Sequence, residues 1–262
     1  MDLRLTGRTA LVTGAGRGIG LAVTRALADE GVRVVAASRT LTEPLSELAA
    51  REDVHFVRAD LTRPDGAEGP VAEAVDRYGG LDILVNNVGA VRPRAGGFLS
   101  VGDDEWTWAL TVNLLTAVRT TRAALPHLIA SGSGSIVTVG SVSAFLPDPS
   151  VIDYGASKAA LSNFSKALSK EVGPHGVRVN TVSPGPVATD LWLGEGGIAQ
   201  TVAAVAGSEP DDIAQGFAAQ AVTGRFSRPE EVADLVLLLA SGRSGNVTGS
   251  EFVIDGGLVT TL

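Results

Sequence analysis

The sequence contains no cysteine, and its 262 residues include only three histidines, His55, His127 and His175. Without cysteine there is no disulfide framework and no thiolate chemistry. The three histidines stand far apart in the chain, so they do not indicate a zinc site and we predict no metal. Structural roles for these histidines are favoured instead.

Basic residues and long apolar runs are also scarce. The chain carries 21 Lys and Arg against 29 Asp and Glu, a net charge of −8, without a basic run. This argues against a nucleic-acid or anionic-membrane partner. No stretch reaches the ~18 consecutive apolar residues of a membrane span, and the charged segment 1–8 lacks the apolar core of a signal peptide. We expect a cytoplasmic protein that acts on a small molecule.

Short β-branched segments alternate with longer helical patterns along the whole chain, which is typical of a parallel sheet covered by helices on both faces. The pattern predicts strands at 9–13, 33–37, 54–58, 83–86, 135–139, 178–182 and 251–254, and helices at 19–30, 64–78, 104–130, 154–172 and 229–239. The length suits one domain. We predict an α/β fold: a single doubly wound, Rossmann-type domain over residues 1–262, with a seven-stranded, mainly parallel sheet.

Residues 188–221 depart from this alternation. They show no clear strand, are loosely helical and are interrupted by glycines. A stretch of this kind within a compact domain is usually a functional lid or a disordered loop. We predict a substrate lid at 188–221 that is mobile in the free protein. Its apolar residues Leu191, Trp192, Leu193, Ile198 and Val202 fit an apolar or mixed substrate.

A glycine-rich turn, Thr-Gly-Ala-Gly-Arg-Gly-Ile-Gly at 13–20, follows the first predicted strand and opens the first predicted helix. Glycines let the backbone turn tightly and approach a pyrophosphate, and the helix N-terminus offers free N–H groups. The spacing Gly-x-x-x-Gly-x-Gly in this position predicts a dinucleotide site. Its contacts are expected from Gly14, Arg17, Gly18, Ile19 and Gly20.

The second strand ends without the acid that NAD-binding folds offer to the ribose hydroxyls. Ser38 and Arg39 stand there instead. Both suit a 2′-phosphate, and Arg17 is placed to reach the same group. We predict NADP(H) as the preferred cofactor, with NAD(H) as the alternative. The alternative is that the Arg39 side chain only faces water, and the predicted preference for NADP(H) then loses its basis.

The chain has only two tyrosines and three lysines, yet Tyr154 and Lys158 stand four residues apart where a helical pattern begins. At that spacing both side chains lie on one helix face. A free tyrosine titrates near pH ~10, so acid–base chemistry near neutrality requires a nearby cation that favours the phenolate. We expect Lys158 to lower the pKa of Tyr154. The alternative is a surface pair without chemistry.

Together with other segments, these motifs resemble the short-chain dehydrogenase/reductase family, in its shorter, 3-oxoacyl thioester reductase-like branch. The resemblance covers nearly the whole chain and includes Asp60-Leu61, Asn86-Asn87-Val88-Gly89, Asn113, Ser141, Ser183-Pro184-Gly185-Pro186-Val187-Ala188-Thr189 and Asp255-Gly256-Gly257. Two departures are Val88, where the family usually has alanine, and Gly140, where it often has a serine before the catalytic one.

The resemblance implies a position for each matching residue along the cofactor. Asp60 with Leu61 would lie at the adenine, Asn87 and Gly89 along the adenosine ribose, and Val187 and Thr189 against the nicotinamide, with Pro184 and Gly185 completing the contacts.

The resemblance also implies the chemistry. Tyr154 would give a proton to the forming alkoxide, Ser141 would hydrogen-bond the same oxygen, Lys158 would also hold the nicotinamide ribose, and Asn113 would organise a water-linked proton relay. Tyr154 and Lys158 therefore count among the cofactor contacts as well. Ser143 is a rival to Ser141, but it lacks the family's spacing to the tyrosine.

The activity so implied is NADP(H)-dependent interconversion of a ketone or 3-oxoacyl group and a secondary alcohol by hydride transfer. The alternatives are an NAD-dependent alcohol or sugar dehydrogenase, an epimerase or dehydratase of the longer family branch, and a catalytically silent dinucleotide-sensing protein. Substrate identity stays open, because fold does not determine it.

Two surface expectations complete the sequence reading. The family association and the apolar residues of helices 104–130 and 154–172 predict a homotetramer; these residues are Leu110, Leu114, Val118, Leu125, Leu161, Phe164 and Leu168. Arg92 and Arg94 either bind an anionic group of the substrate or form a solvated surface pair.

Overall fold

Seven strands form one sheet in the computed structural model, which describes residues 2–261. They are β1 Thr9–Thr13, β2 Arg33–Ser38, β3 Val54–Arg58, β4 Ile83–Asn86, β5 Ser135–Val139, β6 Arg178–Pro184 and β7 Glu251–Ile254. Their order is β3-β2-β1-β4-β5-β6-β7, and every pairing between them is parallel. The seven predicted strands are confirmed. The sheet was predicted to be mainly parallel, and all of its described pairings are parallel.

Ten α-helices cover this sheet and line its edge within the described residues. They are α1 Gly18–Asp29, α2 Glu43–Leu48, α3 Glu68–Tyr78, α4 Asp103–Leu110, α5 Thr116–Ala130, α6 Ile152–Val172, α7 Asp190–Leu193, α8 Ile198–Ala206, α9 Pro210–Ala218 and α10 Pro229–Ala240. Helix α3 begins four residues later than predicted, because the chain first turns around Asp60. A Cβ on Gly66 would lie 2.1 Å from the Asp60 carbonyl oxygen.

The predicted helix 104–130 is interrupted by a π-helical turn at Thr111–Leu115. Asn113 lies in this turn, and its side-chain amide donates to the Ala109 carbonyl at 3.0 Å. In a regular α-helix that carbonyl would pair with the Asn113 backbone N–H. The side chain therefore takes the place of a main-chain donor where the helix widens.

Alternation along β2 shows how both faces of the sheet are buried. Val34 and Ala36 belong to the core cluster that also contains residues of α1 and α10. Val35 and Ala37 belong to the cluster that contains residues of α3 and α5. Successive side chains of a strand point to opposite faces, so helices cover both sides. The predicted doubly wound fold is confirmed.

The strand order reverses between β1 and β4, which are direct neighbours. In open α/β sheets the crevice at such a switch point, at the carboxyl ends of the strands, is where ligands bind. The loops after these strands and the segment 188–221 meet at this edge. That segment is not structureless, since it holds α7, α8 and α9.

None of the helices in residues 2–261 is long and apolar enough to cross a membrane.

Candidate active site

A cavity of about 880 Å³ opens at the carboxyl edge of the sheet. The glycine turn, the ends of β2 and β3, the loops after β4, β5 and β6, and the start of α6 all contribute to its walls. Every residue predicted to bind the cofactor or to act in catalysis lines this cavity, except Gly20 and Asn113. Those two residues lie directly behind its wall.

The glycine turn at 13–20 leaves no space for a side chain at Gly14 or Gly20. Gly14 has φ +66°, and a Cβ on Gly20 would lie 2.2 Å from the Gly14 carbonyl oxygen. Helix α1 begins at Gly18 with no side-chain cap from Arg17 and no acidic residue in its first turn. Its first N–H groups and its positive dipole end are therefore free to receive an anion. These residues fit the pyrophosphate of a dinucleotide.

The end of β2 offers hydroxyl and guanidinium groups. The Ser38 hydroxyl donates to the Thr40 carbonyl at 2.6 Å, and the exposed Arg39 lines the cavity with Arg17. A hydrogen bond from Thr62 lowers the pKa of Asp60, and the charge of Arg39 lowers it further. Arg39 therefore lies close to the Asp60 carboxylate as well as to the cavity.

Asn87 holds the glycine turn against β4. Its side-chain amide donates to the Thr13 carbonyl at 3.0 Å, and its backbone N–H donates to the Thr13 hydroxyl at 2.9 Å. Sequence reasoning found Asn87 but missed Thr13, because a threonine at the end of a strand carries no distinctive signal.

Gly89 lines the cavity beside Asn113 and Lys158. A Cβ there would lie 3.2 Å from the Asn113 Oδ1 and 3.3 Å from the Lys158 Nζ. Its contact with the adenosine ribose stays a prediction.

Ser141, Tyr154 and Lys158 come together on one wall. Lys158 is only 3% exposed, and its Nζ donates to the Val139 carbonyl at 2.9 Å. The same Nζ lies 5.8 Å from the centroid of the Tyr154 ring. Ser141 is 8% exposed, and its hydroxyl lies close enough to the Tyr154 side chain to act on the pKa of the phenol. Ser143 only donates its backbone N–H to the Ser141 Oγ, at 3.2 Å.

The prediction that Lys158 lowers the pKa of Tyr154 was wrong for the protein without cofactor, because the pKa of Tyr154 is raised. Burial raises the pKa of Tyr154, and the neighbouring Ser141 hydroxyl lowers it by less than burial raises it. Burial lowers the pKa of Lys158 to about 8. In both cases desolvation disfavours the charged form, so the phenol is held protonated at neutral pH.

Asn113 is completely buried and joins the long helix to the loop after β4. Its amide donates to the Ala90 carbonyl at 2.9 Å and to the Ala109 carbonyl at 3.0 Å, and its Oδ1 accepts from the Ala90 N–H at 3.0 Å. Both amide protons are therefore used for structure, and only the Oδ1 retains hydrogen-bonding capacity toward Lys158.

The departure at Gly140 has a steric cause. A Cβ there would lie 2.5 Å from the Ser183 hydroxyl and 2.8 Å from the Thr181 Cγ2. The neighbouring strand β6 fills the space that a serine side chain would need.

Neither predicted role for Arg94 agrees with the structure. Arg94 donates two hydrogen bonds to Asp153, from Nε at 3.3 Å and from a terminal nitrogen. The side chains are 11% and 2% exposed, so this is neither a solvated pair nor a substrate contact. Arg92 lies over the ring of Trp108, 3.8 Å from its centroid. Sequence reasoning missed Asp153, because no sequence motif connects it with Arg94, which lies 59 residues earlier in the chain.

Four of the five apolar residues predicted on the lid line the cavity, namely Leu191, Trp192, Ile198 and Val202, whereas Leu193 does not. Phe217, Gln220, Leu258 and the segment from Leu146 to Val151 also line it and were missed. Residues 144–151 follow Ser141 without a polar motif, so only their position in space identifies them.

Comparisons with known proteins agree with this geometry. A family model described as enoyl-(acyl carrier protein) reductase matches residues 14–259. The 3-oxoacyl-[acyl-carrier-protein] reductase FabG of Thermotoga maritima is 33% identical, over 98% of this chain and 100% of that protein. A 3-alpha-(or 20-beta)-hydroxysteroid dehydrogenase of Mycobacterium tuberculosis is 35% identical, over 100% of this chain and 93% of its own.

A solved structure gives the same result. L-sorbose reductase from Gluconobacter frateurii, complexed with NADPH and L-sorbose, superimposes with a TM-score of 0.91 and 33% identity, covering 100% of both chains. Because the match covers the whole chain, it includes the glycine turn, the wall with Ser141, Tyr154 and Lys158, and residues 188–221. The chain therefore belongs to the short-chain dehydrogenase/reductase family and is an oxidoreductase.

Proposed function

We propose that the protein interconverts a ketone or 3-oxoacyl group and a secondary alcohol with NADP(H), and that Tyr154 is its general acid and base. The observation that carries this proposal is the meeting of Ser141, Tyr154 and Lys158 on one wall of a cavity whose other end is a glycine turn at a helix N-terminus. A group that moves a proton and a site for a dinucleotide phosphate thus share one space.

Reduction adds a hydride to the carbonyl carbon and a proton to its oxygen. When bound, the reduced dinucleotide supplies the hydride and leaves oxidised. Tyr154 supplies the proton, because its raised pKa keeps the phenol protonated at neutral pH. The Ser141 hydroxyl donates to the same substrate oxygen and so stabilises the developing negative charge. The buried ammonium of Lys158 then stabilises the phenolate that is left.

The protonated phenol favours the reductive direction. A proton donor is ready at neutral pH, whereas alcohol oxidation requires the phenolate as base. We therefore propose that ketone reduction is the faster direction near neutral pH.

We propose NADP(H) as the preferred cofactor. The end of β2 carries no carboxylate that would bind the ribose hydroxyls and repel a 2′-phosphate, and Arg17 and Arg39 line the same part of the cavity. Each charge-assisted hydrogen bond contributes ~1.5–3 kcal/mol, and ~1.4 kcal/mol is tenfold in affinity. One such contact is enough for a tenfold preference. The related L-sorbose reductase was crystallised with NADPH.

The test compares kcat/KM and Kd for NADPH and NADH. The wild-type protein should favour NADPH by at least about tenfold, and the double variant Ser38→Asp with Arg39→Ala should favour NADH. Arg58→Ala is the control, because Arg58 is also exposed and lies at the end of the neighbouring strand β3, but does not itself line the cavity. A wild-type preference for NADH would overturn the cofactor proposal and identify the alternative dehydrogenase.

We also propose the homotetramer, formed through α4, α5 and α6. Leu110, Leu114 and Val118 recur four residues apart and stay half-buried in the single chain, so a second copy would complete their burial. Light scattering at micromolar concentration tests this, and a monomeric mass contradicts it. The cytoplasmic location stays a prediction.

A further inference from the structure

The two ends of the cavity differ in charge. The cationic residues Arg17 and Arg39 line the end at the glycine turn and β2. Asp60 lines that end as well. In the segment between Ser141 and Tyr154, the one charged side chain among the described lining residues is the acidic Asp148, whereas Asp190 follows Thr189, whose Cγ2 would lie 3.2 Å from a Cβ on Gly18. Among the described residues, no cation apart from the buried Lys158 lines the end of the cavity at Tyr154.

The arginines nearest to this end are already engaged. Arg94 pairs with the buried Asp153, and Arg92 lies 3.8 Å from the centroid of the Trp108 ring. Neither of them lines the cavity. Beside Tyr154, a phosphate-bearing substrate would thus meet the Asp148 carboxylate and, among the described lining residues, no arginine, which is unfavourable for binding.

The walls at this end are apolar. Leu146 and Val151, from the segment before α6, line the cavity, as do Trp192 and Phe217 from the segment 188–221. The Trp192 ring is held edge-on by Phe217, with centroids 4.9 Å apart, and by Phe226, at 5.3 Å. Two rigid aromatic contacts fix this wall, so it presents a large apolar surface of defined shape.

Two of the apolar lining residues are also partly exposed to solvent. Leu146 and Leu191 line the cavity and are each 40% exposed, and Phe145, which directly precedes Leu146 in the chain, is 43% exposed. Grouped exposed apolar residues at a cavity mark a surface that an apolar ligand covers.

Polar partners for a polyhydroxylated substrate are few. The Asp148 carboxylate already accepts from the Ser150 N–H at 2.8 Å and from the Ser150 hydroxyl at 2.7 Å. Ser143, Asp190 and Gln220 remain as further polar side chains beyond Ser141 and Tyr154. A sugar would bury several hydroxyl groups against carbon, and unpaired buried hydroxyls oppose binding.

We propose that the substrate is an uncharged, mainly apolar ketone of the size of a fused-ring or aryl-alkyl compound. This rests on the proposed function, and it selects against sugars and phosphate-bearing thioesters within that function.

The test measures kcat/KM with NADPH for four probes: 2-tetralone, D-fructose, acetoacetyl-CoA and the acetoacetyl thioester of N-acetylcysteamine. The last two share the reacting group but differ in phosphate charge. Tetralone should exceed fructose by at least about 100-fold, and the neutral thioester should exceed the CoA ester by at least about tenfold. A preference for fructose or for the CoA ester overturns the inference and leaves the proposed function standing. If no probe is reduced although NADPH binds, both this inference and the proposed function are refuted.

A charge variant tests the electrostatic part of the inference. Leu191→Arg places a cation at the cavity, and should raise kcat/KM for acetoacetyl-CoA by about tenfold at low salt, with little change for the neutral thioester. Leu193→Arg is the matched control, because Leu193 is exposed on the same helix but does not line the cavity. Equal effects of the two variants, or no gain from Leu191→Arg, contradict the inference.

Discussion

Replacing Arg94 by alanine should destabilise the protein strongly and slow turnover, because it leaves Asp153 buried without a partner. Asp153 is in the first turn of α6, directly before Tyr154, and its side chain is 2% exposed. Breaking a buried ion pair by removing one partner typically costs ~3–5 kcal/mol, which is a large part of the ~5–15 kcal/mol that stabilises a typical domain. Chemical denaturation at pH 7 measures this loss.

A matched exposed pair provides the control for this experiment. Arg63 and Asp65 are 68% and 61% exposed, so Arg63→Ala should change the free energy of unfolding by no more than ~1 kcal/mol. Arg94→Lys keeps the charge but cannot donate two hydrogen bonds to Asp153 in the same geometry. Its free energy of unfolding should lie between those of the wild type and of Arg94→Ala.

The same variants separate anchoring from stability. The Arg94 N–H also donates to the Ser150 carbonyl at 2.7 Å, so Arg94 joins the loop after β4 to the segment that leads into α6. The combined replacement Arg94→Met with Asp153→Leu should restore much of the stability. The backbone bond to Ser150 remains, but the Arg94–Asp153 side-chain pair that holds the start of α6 is still missing, so kcat should stay low while KM for the cofactor changes little. If Arg94→Ala loses no more stability than Arg63→Ala, or if the combined replacement restores kcat, the reasoning is refuted.

Three further outcomes are expected. Tyr154→Phe should lower kcat by ~10²–10⁴-fold with cofactor affinity retained. Tyr78→Phe is the control and should have little effect on kcat, because the buried Tyr78 hydroxyl has no hydrogen-bond partner. Near wild-type activity of Tyr154→Phe would refute the assignment of Tyr154 as proton donor. Gly20→Ala should abolish cofactor binding measured by calorimetry, since its Cβ would lie 2.2 Å from a carbonyl oxygen, while Gly69→Ala, with open space around it, should not. Burial lowers the pKa of Lys158 from 10.5 to about 8, so the unfolded chain binds the proton more tightly than the folded protein. The free energy of unfolding should therefore rise by up to about 3 kcal/mol between pH 8 and pH 10.5 relative to Lys158→Met. Parallel plots of the free energy of unfolding against pH for the two proteins would contradict this.

The fold was largely readable from the sequence because each part of it has a local signal. Strands buried on both faces appear as β-branched runs, and the crossover helices appear between them, so five of the seven strands have the predicted bounds. Helix α2 was missed because it is only six residues long and has little apolar periodicity. Its start is marked by Thr42, whose hydroxyl accepts from the Leu45 N–H at 3.4 Å.

The site was readable only where a motif stands in the sequence. The glycine turn, Ser141, Tyr154 and Lys158 carry such motifs and line one cavity. The Arg94–Asp153 pair does not, because Arg94 lies in the loop after β4 and Asp153 in the first turn of α6, and their pairing exists only in the folded chain. The direction of the Tyr154 pKa was mispredicted for a similar reason. Spacing identifies a neighbouring cation, whereas the opposing effect of burial depends on everything packed around the ring.

The most direct test of the account follows deuterium from the cofactor to the product. NADPH deuterated at the transferable C4 position is incubated with the wild-type protein and 2-tetralone, and the alcohol is analysed by mass spectrometry and NMR. The account predicts one deuterium on the carbinol carbon, a single configuration at that carbon, and no product with Tyr154→Phe on the same time scale. An alcohol without deuterium, or binding of NADPH with no reduction of any ketone, would contradict it.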